Sequence, residues 1–88
     1  MTITAKIHRI IPGSGKLRAI AEITLDGVFV IHNVRVVEGS RGLFISMPSY
    51  LDRHGRYRDH CFPVTAELNA EISRIIVEAY METCKTLI

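Results

Sequence analysis

The chain lacks the marks of a secreted or membrane-inserted protein. Its 88 residues include only 2 cysteines, Cys61 and Cys84, which are too few for a disulfide framework. No apolar run approaches the roughly 20 residues that a membrane-spanning helix needs. Lys6 and Arg9 interrupt the first apolar stretch too early for a signal peptide. We therefore expect a cytoplasmic protein with both thiols reduced.

The sequence also lacks motifs of catalysis. It contains no Gly-rich phosphate loop, no nucleophile elbow and no clustered pair of carboxylates. The four histidines, at positions 8, 32, 54 and 60, fall at no spacing typical of metal ligands. His32 is interpreted as a core or interface histidine. We expect neither an enzyme nor a bound metal or cofactor.

What the chain does contain favours one small folded domain over residues 1–88, with a sheet and loops in 1–64 and a helix in 65–88. Hydrophobic residues make up 48% of it, and there are only 3 prolines. The net charge of +2 is mild but unevenly placed. Residues 1–64 contain nine basic and five acidic residues, a net charge of +4. The rest of the chain contains two basic and four acidic residues, a net charge of −2. The basic surface therefore belongs to the sheet and its loops.

A predicted hairpin from Lys16 to Val37 organises the sheet. Two alternating apolar runs flank Asp26-Gly27, a pair typical of a two-residue type I′ turn with positive φ at both positions. That turn predicts pairing of Leu25 with Val28 and of Arg18 with Arg35. The predicted core face then carries Leu17, Ala19, Ala21, Ile23, Leu25, Val28, Val30, Val34 and Val36, interrupted by His32.

Two questions about arginines stay open at this level. Arg18 and Arg35 would repel each other across the ladder, so either both reach solvent or an acidic group of a partner or a phosphate lies between them. If a four-residue loop follows the first strand, Arg9 joins them opposite Arg18. An odd loop instead places the alternate residues Ile3, Ala5 and Ile7 on the core face.

The remaining elements complete an α+β fold. An antiparallel sheet of about five strands, built on hairpins, is followed by one C-terminal amphipathic helix. Besides the hairpin, the predicted strands are Thr2–Ile11, Leu43–Met47 and His60–Val64.

The predicted helix, Thr65–Ile88, begins at an N-cap that is either Thr65 or Asn69. Its apolar stripe comprises Leu68, Ile72, Ile75, Ile76, Ala79, Tyr80, Cys84 and Leu87. Further apolar residues lie off the stripe (Val77, Met81 and Ile88) or on the second sheet face (Phe29, Ile31 and Val37). Because soluble monomers avoid large exposed apolar patches, these residues predict a homodimer or larger assembly.

The segment from Ser49 to Asp59 is the least apolar part of the chain. Arg53, Arg56 and Arg58 surround Tyr57, with Tyr50 nearby. Basic residues interleaved with aromatic ones can follow phosphates and stack on bases. The alternative is a solvated hairpin tip whose tyrosines prop the loop on the sheet.

Ungapped matches along nearly the whole chain resemble the stage V sporulation protein G (SpoVG) family. They begin in the hairpin and continue through the loop. The matching residues are Leu17-Arg18-Ala19-Ile20-Ala21, Ile23-Thr24-Leu25-Asp26, Phe29-Val30, His32, Arg35-Val36, Gly42-Leu43-Phe44, Met47-Pro48-Ser49, Gly55, Arg58-Asp59 and Pro63.

The resemblance implies a bacterial cytoplasmic regulator, dimeric or larger, that binds DNA and in some members RNA. It implies an influence on sporulation, septation in cell division, and regulation of transcription. In the family, basic residues after the Met-Pro-Ser motif are associated with binding. In this chain Tyr50-Leu51 occupies the position of the family's basic pair, and basic side chains follow a few residues later.

We therefore predict nucleic-acid binding, with no membrane or small-molecule partner. The alternative function is a protein-interaction module that does not bind nucleic acid. The residues predicted to bind nucleic acid are Arg53, Arg56, Arg58, Tyr57, Arg18, Arg35 and Arg9.

Overall fold

Four antiparallel strands and one helix form the body of the protein, and a small hairpin lies between them in the chain. The structure is a computed structural model that describes residues 1–13 and 15–86. Its elements are β1 (Ile3–Ile10), β2 (Leu17–Leu25), β3 (Phe29–Gly39), β4 (Gly42–Ser46), β5 (Ser49–Leu51), β6 (Tyr57–Asp59) and α1 (Ala66–Thr86).

The sheet is a simple meander in the order β1-β2-β3-β4, and β5 pairs only with β6. The predicted α+β class is confirmed. The predicted strand His60–Val64 is wrong, because β5 pairs with Tyr57–Asp59 and residues 60–64 form no strand in the described part of the chain.

The core lies between one face of the sheet and α1. Its buried residues come from β2, β3, the residue that follows β4 and the helix: Ala19, Ala21, Ile23, Val34, Val36, Met47, Ile72 and Ile76. Ile3, Ala5 and Ile7 of β1 pack against this cluster. These three residues therefore lie on the core face, as in the second alternative. The bulge at His8 rather than an odd loop places them there, and Arg9 lies opposite Ile20 rather than Arg18.

The Asp26-Gly27 turn has the predicted backbone but not the predicted register. Both residues have positive φ, 52° and 70°, and the Val28 N–H donates to the Leu25 carbonyl at 3.0 Å. Val28 then stays in the loop, so Leu25 pairs with Phe29. Asp26 also forms a hydrogen bond with the residue before β1, because its carboxylate accepts the Thr2 N–H at 2.7 Å.

A bulge in β3 changes which residues of that strand face the core. Ile23 pairs with Ile31 but Ala21 pairs with Val34, so His32 and Asn33 together oppose the single residue Glu22, and Asn33 has φ of 61°. The bulge keeps two polar side chains out of the core. Two residues predicted on the core face, Val28 and Val30, are instead 86% and 43% exposed.

A second bulge, at Arg18, removes the predicted arginine pair. Ala19 pairs with Val36 while Leu17 pairs with Val37, so Arg18 has no partner in the ladder and Arg35 lies opposite Ile20. The repulsion expected between two arginines therefore does not arise.

The same bulge changes the side taken by Leu17. Its partner Val37 follows the buried Val36, so Leu17 and Val37 lie on the face away from the helix. Leu17 was predicted in the core. Phe29 and Ile31, predicted on the second face, share the core side with their partners Leu25 and Ile23, although Phe29 is 60% exposed.

The helix begins at Ala66, one residue after the predicted Thr65. The Thr65 hydroxyl oxygen accepts the Leu68 N–H at 3.1 Å, which makes Thr65 rather than Asn69 the N-cap. Off the stripe, Val77 is half-buried and Met81 is 50% exposed. Leu87 and Ile88 lie outside the described residues. In the described residues, no helix is both long enough and apolar enough to cross a membrane.

Replacing Gly27 with valine is expected to lower the free energy of unfolding by about 1–3 kcal/mol, the typical penalty for a strained backbone site. The space around Gly27 is open, so the penalty comes from its φ of 70°, which a β-branched residue rarely adopts. Thermal and urea denaturation would measure it. The matched control is Gly27→Asn, because asparagine tolerates this conformation. Equal stability of the two variants would contradict the turn.

Candidate nucleic-acid interface

One aspartate organises the loop that joins β5 to β6. Ser49 pairs with Asp59 and Leu51 with Tyr57, so residues 52–56 form the connection. One carboxylate oxygen of Asp52 accepts the backbone N–H groups of His54 at 2.8 Å and Arg56 at 2.9 Å. The other accepts the Arg58 Nε–H at 3.1 Å.

These donors hold the Asp52 carboxylate in its charged form. The Arg56 backbone hydrogen bond is the main cause that lowers the pKa of Asp52 below its usual value, with further contributions from Arg58 and His54. Partial burial opposes them without reversing the shift. The loop is therefore fixed by an anion at its centre, and Arg58 serves to neutralise that anion.

Acid is expected to loosen this loop. Since the pKa of Asp52 is lower folded than unfolded, its contribution to stability is present above the ordinary aspartate value of 3.8 and is lost as the pH falls through the folded pKa. The amide resonances of His54 and Arg56, followed by NMR from pH 6 to about pH 2, should move together with a midpoint below the ordinary value. Asp52→Asn is the control and should not show that transition. A midpoint at or above the ordinary aspartate pKa would contradict the assigned hydrogen bonds.

Two of the three loop arginines present free charge to solvent. Throughout residues 1–13 and 15–86, neither Arg53 nor Arg56 has an ion-pair partner. Beside them Tyr57 is 76% exposed. Tyr50 instead packs against His60, with ring centroids 4.9 Å apart. The alternative in which tyrosines prop the loop therefore fits Tyr50 but not Tyr57.

A second positive area lies on the sheet face opposite the helix, which we call the outer face. Arg9 and Arg35 flank Ile20 in one row across β1, β2 and β3, and both arginines are exposed. Lys6 lies opposite Glu22, which is two residues from Ile20 along β2. Arg9 and Ile20 also line an open groove with His8, His32 and Asn33.

Arg18 belongs to neither area. Its Nη1 donates to the Gly13 carbonyl at 3.0 Å. Burial raises the pKa of the Tyr80 hydroxyl, and Arg18 is close enough for its charge to oppose that shift. Arg18 therefore lies beside the helix, and the predicted set of seven residues divides into the loop, the outer face and this isolated side chain.

The basic residues of the helix are paired with neighbouring acids. Arg74 contacts Glu78 at 3.3 Å and Lys85 contacts Glu82 at 3.6 Å. All four side chains are largely exposed, so these pairs contribute little to stability. They do offset positive charge locally, and they make Arg74 a suitable control residue.

Sequence reasoning missed the cluster of His8, Glu22 and His32 on the outer face. These three come from three strands, and both histidines lie at bulges, His8 at the irregularity between Ile7 and Arg9. Their spacing along the chain carries no signal. The signal that was available is the break in apolar alternation at His8-Arg9 and again at His32-Asn33, since such breaks are where bulges occur.

The fold and these surfaces define a class of small α+β protein, with a helix on one face of a four-stranded meander and polar surfaces outside it. The SpoVG family model matches residues 1–82. The chain belongs to the SpoVG family, as the resemblance in its strands and loop indicated.

Curated relatives cover the chain along its length. A protein of Heliobacterium modesticaldum named "Putative septation protein SpoVG" is 42% identical over 88 residues, covering 100% of this chain and 99% of that protein. Proteins of the same name from Treponema denticola and Staphylococcus saprophyticus are 42% and 40% identical and each covers 94% of this chain, with 89% and 82% of their own lengths matched. These names denote a septation protein and no catalysed reaction.

Proposed function

We propose that the protein is a small cytoplasmic regulator that binds nucleic acid, DNA or RNA, through the loop of residues 52–58. The observation that carries this proposal is the pair of unneutralised arginines, Arg53 and Arg56, beside an exposed Tyr57 on a loop fixed by Asp52. The septation name of its relatives is consistent with a regulatory role in cell division and sporulation.

Each loop residue has a distinct role in this proposal. Arg53 and Arg56 contact phosphates, which gives affinity without reading sequence. Tyr57 offers its ring to an unstacked base, a contact that tolerates any base. Arg58 holds Asp52 and so positions the loop.

The outer face supplies a further set of phosphate contacts. Arg9 and Arg35 lie two strands apart, about 10 Å at the strand spacing of a sheet. They project from a rigid ladder rather than from a loop. We place them second because Glu22 lies on the same face and reduces its positive charge.

A mobility-shift assay at several salt concentrations tests the function as a whole. The protein is incubated with duplex DNA and with single-stranded RNA, both of random sequence. We expect log K to fall linearly with log salt, by about 0.9 per phosphate contact for a duplex and about 0.7 for a single strand. Absence of binding to both probes at 50 mM salt would contradict nucleic-acid binding.

A second copy of the chain is the proposed occupant of a groove beside the edge strand β4. Phe44, Phe62 and Val64 line the groove and are 49%, 66% and 84% exposed. An exposed edge strand with apolar neighbours favours self-association. Light scattering at micromolar concentration should give a mass well above the 9.9 kDa of one chain, and Phe62→Ser should lower it. A wild-type monomer would contradict this assembly.

A further inference from the structure

Two bulges bring a set of metal-ligating groups together on the outer face. His8 lies in the bulge of β1, His32 in the bulge of β3, and Glu22 lies between them on β2. One ligand atom from each residue lies within 4.8 Å of the other two. The His8 Nε2 contacts the Glu22 carboxylate directly.

The positions of these three atoms suit a divalent transition metal. Bond lengths of about 2.0–2.2 Å to zinc place tetrahedral ligand atoms roughly 3.3 Å apart. The three atoms here lie within 4.8 Å of one another, so rotations about the side-chain bonds can bring them to that separation. The histidine rings already face the same space, with centroids 5.9 Å apart at an interplanar angle of 32°.

The environment of Glu22 points to the same ligand. Its side chain is only 16% exposed, although it lies on the face away from the core. In the described part of the chain, its one ion-pair contact is His8. A cation bound between this carboxylate and the two imidazoles would give the largely buried Glu22 side chain a charged partner.

We propose that His8, Glu22 and His32 bind one zinc ion per chain, a site separate from the nucleic-acid contacts of the loop. Two imidazole nitrogens and one carboxylate oxygen form a ligand set known from zinc sites that keep a fourth position for water. The groove beside them is open to solvent at that position. Other imidazole-preferring divalent metals such as cobalt would occupy the same ligands.

Zinc at this site would join β1, β2 and β3 by bonds that the unfolded chain does not preform. Binding should therefore stabilise the folded state in proportion to the logarithm of the zinc concentration above the dissociation constant. Neighbouring bulges, which interrupt the ladders of this sheet, would be held in place by the metal. The ion would also add positive charge to the face that carries Arg9 and Arg35.

The test uses the full chain without a histidine tag, in the absence of nucleic acid, at pH 7.5. Titration with Co²⁺ should produce visible absorption that saturates at one equivalent per chain and disappears on addition of Zn²⁺. Thermal unfolding with Zn²⁺ at about 100 times its dissociation constant should show a midpoint raised on the order of 10 °C. No saturable cobalt spectrum and no shift in the midpoint would overturn the proposal.

Three variants locate the site. His8→Gln, Glu22→Gln and His32→Gln should each weaken zinc affinity by at least about tenfold, since even outer partners of metal ligands contribute that much. His54→Gln and His60→Gln are matched controls that remove exposed histidines elsewhere and should bind zinc like the wild type. Circular dichroism identifies any variant that fails to fold, and the other two then carry the test. Equal zinc binding by all five variants would overturn the assignment.

Discussion

Replacing Ile76 with alanine is expected to lower the free energy of unfolding by about 2–5 kcal/mol. The Ile76 side chain has 0% exposure and lies at the centre of the cluster that joins α1 to the sheet. Truncation removes apolar area and leaves a cavity that a sheet and a single helix can close only in part. Urea denaturation at fixed protein concentration measures the effect, because self-association would otherwise shift the apparent stability.

Glu71→Ala is the control for this prediction. Glu71 lies on the same helix and is exposed, so its loss should change the free energy of unfolding by no more than about 0.5 kcal/mol. If Ile76→Ala were as stable as the control, the packing of α1 on this sheet would be wrong.

Replacing Arg53 and Arg56 together with alanine is expected to weaken nucleic-acid binding on the order of 100-fold at low salt. This estimate takes about 1.5 kcal/mol for each charge-assisted contact with phosphate. The slope of log K against log salt should also flatten by about 1.8 per chain for duplex DNA, or twice that in a dimer. Arg58 is left in place, because its loss would free Asp52 and disturb the loop itself.

Arg74→Ala is the matched control, since it also removes one exposed arginine but from the ion-paired surface of the helix. Its slope should equal that of the wild type. If the double variant kept the wild-type affinity and slope, the loop would not be the binding surface.

Tyr57→Ala separates two modes of binding by the same loop. Loss of about 1–3 kcal/mol toward single strands, with duplex binding intact, would show that the ring stacks on a base. Equal loss for both probes would instead assign Tyr57 to the shape of the hairpin.

Local chemistry made part of this fold predictable. The Asp26-Gly27 turn and the buried face of Ala19, Ala21 and Ile23 follow from residues close together in sequence, which also limited the helix cap to Thr65 or Asn69. In each case a short stretch of sequence favours one local structure over its alternatives.

The register was not predictable in the same way. A bulge inserts one residue into a ladder, and a break in apolar alternation, as at His32-Asn33, indicates where a bulge can form but not how the register shifts. At Arg18 the alternation continues unbroken, so the sequence there carries no signal of the bulge. The bulges at His8, Arg18 and His32-Asn33 therefore decided which side chains meet. They separated Arg18 from Arg35 and brought His8 and His32 to Glu22.

The composition of the sequence indicated the loop as a binding surface, but it did not indicate the separate roles of the three arginines. Arginines around Tyr57 indicated a surface for phosphates, whereas the distinction between Arg58 and the other two depends on the side chain of Asp52. The distinction depends on one distance in the folded loop, the 3.1 Å between the Arg58 Nε and the Asp52 carboxylate. It changes which variants are informative, because Arg53 and Arg56 can be removed without cutting any ion pair seen in the described residues, whereas removal of Arg58 cuts its pair with Asp52.

An NMR titration of the ¹⁵N-labelled protein with a short oligonucleotide, single-stranded and then duplex, tests the proposed binding surface most directly. We expect the amides of Arg53, Arg56 and Tyr57 to shift first and most, followed by those of Arg9 and Arg35. Shifts confined to α1 or to the groove beside β4, with the loop unchanged, would contradict it.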